Sequence, residues 1–157
     1  QVVGRGEDAF GTALLAGLAG GHDGGAQVDM TEAMALALDP VLSNAGATIR
    51  AGATADGGFD IRGARDPLPA DHGALASPVA ATAALFAALN AAGTTTLRTD
   101  EPLPGCIEVL FGRFGVGFVS NADAGPGRCS ITMAGRPELR PARIDVAGLL
   151  AGPGRPS

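Results

Sequence analysis

The sequence predicts an α/β fold made of two copies of one supersecondary unit, each with two helices and several strands. Three observations carry this. Two stretches read alike. The first holds Gly11-Thr12 with residues 13–18, then Asp39-Pro40-Val41-Leu42, Ala45-Gly46-Ala47-Thr48-Ile49 and Phe59-Asp60-Ile61-Arg62-Gly63. The second holds residues 80–89, then Glu108-Val109-Leu110, Phe114-Gly115-Val116-Gly117-Phe118 and residues 130–135, in the same order. Next, the glycines that close matching helices, Gly46 and Gly115, lie 69 positions apart, the fixed step of an internal repeat. Finally, the chain has 25 Gly, six Phe, and neither Trp nor Tyr. Its core must be aliphatic, with elements in close approach.

The elements follow in order. Residues 1–3 read as a strand. Residues 12–19 read as a helix entered at Gly11 and stopped by Gly20-Gly21. Residues 26–29 suit a strand. Thr31 is an N-cap for a helix over 31–45, with Met34, Leu38, Val41 and Leu42 at helical spacing. Pro40 should kink or restart that helix. A strand at 47–50, a turn at 55–58 and a strand at 59–62 make a hairpin. In the second copy, Ser77-Pro78 caps a helix over 79–92, ended by Gly93. The β-branched run 94–98 is a strand. Residues 106–114 form a helix, 116–119 a strand, 121–127 a turn, and 129–133 and 142–146 strands. The predicted organisation is one domain over 1–147, with units at 1–65 and 66–147, and a flexible Gly/Pro-rich tail over 148–157.

At 157 residues and 46% hydrophobic content, the chain is long enough to bury a core. All eleven basic residues are Arg, which excludes Schiff-base chemistry and a phosphate-loop lysine. The net charge is −5 and no basic stripe is visible, so no nucleic-acid partner is expected. Cys106 and Cys129 make neither a disulfide framework nor a metal-spaced pair. His22 and His72 sit in Gly- and Asp-rich turns, and no metal site is assigned to them or to the neighbouring Asp23 and Asp71. No signal peptide or bilayer-spanning apolar run is seen. A cytoplasmic protein is expected, without cofactor, metal or membrane. The start at Gln1, inside a strand, suggests a piece of something larger.

Several phrases resemble the enolpyruvyl transferase family. Gly11-Thr12 with residues 14–18 looks like the end of its Asn-x-Gly-Thr helix start. Residues 39–49 resemble its "DPL…GA.I" helix and strand, and Ile61-Arg62-Gly63 its following strand end. Residues 76–96, closing on Gly93-Thr94-Thr95-Thr96, are similar to its "ASAQVKSALLLAGL…GTTT" segment. Residues 108–115 and 143–146 continue in register. The match runs over nearly the whole chain, but over only the later two-thirds of one of the family's two lobes. It implies βαβαββ-type units with helices inside and sheets outside. It also implies a domain of a shikimate-pathway protein, in aromatic amino acid biosynthesis, whose substrates would be shikimate 3-phosphate and phosphoenolpyruvate.

The departures bear on function. The family's Asn is replaced at Ala9. Its Arg-Pro-Met reads Glu32-Ala33-Met34, and no Arg or Lys stands between Arg5 and Arg50. Its Ser-x-Gln-x-Lys reads Ser77-Pro78-Val79-Ala80-Ala81, and its Arg-Asp-His-Thr-Glu keeps only Glu108. Substrate-binding residues carried over are therefore Gly11, Thr12 and Ser77, and no catalytic residue is carried over. Gly11 stands equally as a helix-start glycine, Ser77 as a cap and Glu108 as a solvated helix residue. Two anions need fixed cations, so the isolated chain is expected to be inactive. The alternative is a degenerate, non-catalytic member, a pseudoenzyme, acting in ligand binding or assembly. A two-unit piece should expose apolar helix surface near residues 14–18 or 85–89, and so form a homodimer or join a complementing chain.

Overall fold

The protein, in a computed structural model, is described over residues 9–52, 58–122, 128–143 and 145. Its elements run α1 (Ala9–Gly20), β1 (Gly24–Asp29), α2 (Glu32–Asn44), β2 (Thr48–Ala51) and β3 (Gly58–Gly63). Then come β4 (Asp71–Leu75), α3 (Pro78–Ala87), a 3-10 turn (Ala88–Asn90), β5 (Thr94–Thr99), α4 (Gly105–Phe114), β6 (Phe118–Ala122) and β7 (Cys129–Ala134). The expected strand at 1–3 and the tail at 148–157 lie outside the described residues, as does most of each expected turn at 55–58 and 121–127.

Two sheets form. One has the order β1-β3-β2, all antiparallel. The other has the order β4-β5-β7-β6, with β4 parallel to β5 and the rest antiparallel. Each sheet turns one face to the helices. Val28 and Ile61 point inward from the first, and Leu97, Ile131 and Met133 from the second. The four helices fill the space between, so the chain is an α/β layered structure with the sheets outside.

The helix ends follow from their residues. The Met34 N–H donates to the Thr31 hydroxyl at 3.2 Å, the cap expected from sequence. Pro40 does not break α2, which runs through it. Pro40 lacks the N–H that would bond the Leu36 carbonyl, and both residues are exposed, so that carbonyl stands where water can reach it. At the exit, the Ala47 N–H donates to the Leu42 carbonyl and the Gly46 N–H to the Ser43 carbonyl, each at 2.9 Å. Gly46 has φ +89. This is the Schellman arrangement, which needs a left-handed residue. It recurs at Gly115, φ +77, where the Val116 N–H donates to the Phe111 carbonyl.

Several expectations are corrected. The third helix stops at Ala87, not 92. There the Arg136 N–H and Nε take the Leu89 and Asn90 carbonyls, drawing the chain out of the helix. The Schellman exit at Gly115 delays β6 to Phe118. His72 lies in β4, not in a turn. That strand, Asp-His-Gly-Ala-Leu, lacks β-branched residues and forms by parallel pairing with β5. Ala142, Arg143 and Asp145 are not in a strand. Leu85, expected near an exposed face, is fully buried, because α3 is enclosed by helices and both β4 and β5. Leu14, Leu15 and Leu18 on α1 are half-buried.

The core is aliphatic, as the composition requires, with one aromatic run. Phe86 and Phe111 have ring centroids 5.0 Å apart, and Phe111 and Phe118 5.6 Å apart, linking α3, α4 and β6.

Candidate functional site

The direction of the helices defines the site. A Cβ placed on Gly17 would meet the Ala83 carbonyl and Phe86, and one on Gly21 would meet the Ala87 carbonyl. These contacts advance along both chains together, so α1 and α3 run parallel. Only glycine at position 17 lets them approach this closely. α1 and α3 are each followed by a reversal into one strand, β1 or β5, and a second reversal into the next helix, α2 or α4. All four helices therefore begin at one end of the layer. The aligned helix dipoles give that end a positive partial charge, which suits an anion.

The carried-over residues meet this geometry unequally. Gly11 is half-buried in the first described turn of α1. Thr12 is buried in the stripe with Ala13, Ala16 and Gly17, so its side chain packs within the protein. Ser77 is the N-cap of α3, and its Oγ accepts from the Val79 N–H at 3.2 Å. The cap leaves the hydroxyl proton able to donate to a ligand. Because α1 and α3 run parallel, Gly11 and Ser77 lie at the same end. Glu108 is exposed in the first turn of α4.

One residue at this end escaped the sequence reading. Thr99, at the end of β5, is 2% exposed, and its hydroxyl has no partner among the described residues. The period-2 pattern Thr95, Leu97, Thr99, all facing inward, is the signal that would have found it.

Fixed charge at this end is mainly negative. Asp29 at the end of β1, Glu32 at the start of α2, and Asp100 and Glu101 after β5 stand there. Arg128 makes an exposed contact with Asp100 at 3.6 Å, and Arg50 and Arg98 stand one position before the last residues of β2 and β5. The opposite end, where the helices finish, carries Arg65, Arg113, Arg136, Arg140 and Arg143. Several are tied locally: Arg113 Nη1 donates to the Arg143 carbonyl at 3.5 Å, and Arg136 Nη2 lies 3.8 Å from Asp66.

No group of three or more His, Cys, Asp or Glu side chains able to hold an ion occurs among the described residues. His22 Nδ1 donates to the Leu18 carbonyl at 2.7 Å. His72 Nδ1 lies 3.5 Å from the Asn44 amide nitrogen. Burial holds the His72 pKa below its usual range, against the pull of Asp71. Asp71 is held low chiefly by the Gly73 N–H, which donates to its Oδ1 at 2.9 Å. No helix among the described residues is long and apolar enough to cross a membrane.

The chain is similar to part of proteins of one kind, the enolpyruvyl (carboxyvinyl) transferases. More narrowly, its relatives are 3-phosphoshikimate 1-carboxyvinyltransferases. It is 37% identical over 113 residues to that of Bradyrhizobium diazoefficiens, covering 69% of this chain and 23% of the relative. It is 33% identical over 139 residues to that of Afipia carboxidovorans, covering 88% of this chain and 31% of the relative. The chain thus spans less than a third of the length of these relatives. A solved EPSP synthase from Acinetobacter baumannii shares the fold, with a TM-score of 0.64 at 20% identity, over 85% of this chain and 30% of that one. No protein-family model matches the chain.

Proposed function

We propose that this chain is part of one lobe of a 3-phosphoshikimate 1-carboxyvinyltransferase-like protein, made of two βαβαββ-type repeats, and inactive in isolation. The observation that carries it is sequence identity to those enzymes over most of this chain, joined to their fold. In this reading the common N-terminal end of the helices faces the substrates, with Gly11 and Ser77 beside the phosphorylated ligands. Thr12 contributes only by packing.

Inactivity follows from charge. Phosphoenolpyruvate and shikimate 3-phosphate both need cations, and the described turns here bring carboxylates instead. A phosphate-release assay with both substrates tests this. Background turnover is expected from the isolated chain. Turnover above background that Gly11→Ala abolishes would refute it. The acidic turns also favour the second reading, a non-catalytic relative kept for assembly or for binding a less anionic ligand.

The repeat reading is supported by matching details 69 residues apart. The strand order β1-β3-β2 matches β5-β7-β6. Gly24 and Gly93 both have φ near the same value, +142 and +148. The Schellman pair Ala47 to Leu42 matches Val116 to Phe111. A complementing chain or second copy would cover α1, and a cytoplasmic setting agrees with the shikimate-pathway role.

A further inference from the structure

We propose that the cleft between the two units, at the end where the helices finish, binds hydrogen phosphate. It has a volume of about 190 Å³ and is lined by Gly21, His22, Asp23, Arg65, Pro67, Asn90 and Arg136. That is well below the roughly 300–1,000 Å³ of sites for drug-sized ligands. It suits one small ion. It lies at the opposite end of the helices from Gly11 and Ser77, so it is independent of the site proposed above.

Four separate segments build it. His22 follows α1, Arg65 lies in the connection from β3 to β4, Asn90 closes the 3-10 turn, and Arg136 follows β7. The framework is fixed. The Asn90 amide donates to the Gly21 carbonyl at 2.9 Å, and Arg136 Nε donates to the Asn90 carbonyl at 3.1 Å. Arg136 holds φ +50, a left-handed conformation uncommon outside glycine. Such conformations persist where surrounding contacts over-determine them, and they cluster at functional positions. Asp66 takes one Arg136 nitrogen from outside the cleft. The Arg65 guanidinium has no partner among the described residues and supplies donors in a fork that fits an oxyanion.

The selectivity comes from the acceptors. The Leu18 carbonyl fixes the proton of His22 on Nδ1. That leaves Nε2 as the acceptor of the uncharged ring, and the Asp23 carboxylate is an acceptor as well. A fully deprotonated oxyanion is repelled by both. An ion that keeps a proton satisfies Arg65 and Arg136 with its charged oxygens and donates its hydroxyl to Asp23 or His22. Hydrogen phosphate is such an ion at neutral pH, and sulfate is not.

The test is a chemical-shift titration of the whole chain at neutral pH and matched ionic strength. Sodium phosphate, sodium sulfate and glycerol phosphate are the probes. Phosphate is expected to saturate, shift the amides of residues 21–23 and 136, and bind about tenfold or more tightly than sulfate. Glycerol phosphate is expected to bind more weakly, since its ester must leave the cleft. Equal binding would assign the site to phosphate monoesters and overturn the free-ion reading. Arg65→Gln should weaken phosphate about tenfold. Asp23→Asn should narrow the phosphate-to-sulfate gap. Both side chains are exposed, and circular dichroism confirms that the variants fold. No saturable shift at tens of millimolar phosphate, equal affinity for sulfate, or an unchanged Arg65→Gln variant would overturn the proposal.

Discussion

The Asn90 side-chain amide donates to the main-chain carbonyl of Gly21 at 2.9 Å, across 69 residues. The bond joins the end of α1 to the turn after α3, so it ties the segment entering β1 to the segment entering β5. Asn90→Ala leaves the Gly21 carbonyl part-buried without this donor. The expected loss of stability is about 1 kcal/mol, read as a lower urea midpoint with unchanged slope. An unchanged midpoint would show that water replaces the amide.

Gly63 packs against the end of α1, and Gly135 against the turn after α3. A Cβ on Gly63 would overlap the carbonyls of His22 and Ala19, and one on Gly135 those of Ala91 and Ala88. Each pair of carbonyls is related by the same 69-residue step. Alanine at either position should destabilise by about 1–3 kcal/mol, the cost of overpacking. The two losses should be alike. A neutral Gly63→Ala beside a damaging Gly135→Ala would break the equivalence.

Acid should weaken the protein through His72. Its pKa in the folded state is lowered by burial from the ordinary 6.5. The unfolded chain then binds a proton before the folded one. Stability is full above about 6.5 and falls as pH drops through the folded value. Urea midpoints measured across this window should fall for the wild type and fall less for His72→Gln. A parallel decline in both would place the effect elsewhere. Asp71, also lowered, adds a loss in the carboxylate range with the same sign.

The outer side of α1 should be a contact surface. The helix has no charged residue, and Leu14, Leu15 and Leu18 are half-buried. Light scattering over a dilution series is expected to show association at high concentration, and Leu15→Glu to abolish it. A monomer at every concentration would mean that residues of this chain already cover the helix.

Much of the fold was legible in the sequence because its signals were local. Thr31 and Ser77 announced their caps, Gly46 and Gly115 their exits, and the run Thr94-Thr95-Thr96 its strand. β4 was not legible, since Asp71-His72-Gly73 has no strand propensity and forms only by pairing with β5. The end of α3 was misread because it is set by Arg136, more than forty residues later. At the site, motif spacing pointed to Gly11, Thr12 and Ser77. It could not show that Thr12 turns inward, or that Thr99 brings a buried hydroxyl to the same end. The arginine cleft carries no motif, since its residues come from four segments.

The uneven charge at the two ends of the helices reaches beyond contact distance. Beside the N-termini, Asp29, Glu32, Asp100 and Glu101 outnumber Arg50, Arg98 and Arg128, so an approaching anion meets a repulsive field before it feels the N–H groups. Its rate of encounter should rise with added salt, until the screening length of about 10 Å at 0.1 M shields those carboxylates. A cationic partner meeting the same end would show the reverse, associating fastest in dilute buffer. The sign of the salt dependence would therefore identify the charge of whatever binds at this end before its chemistry is known.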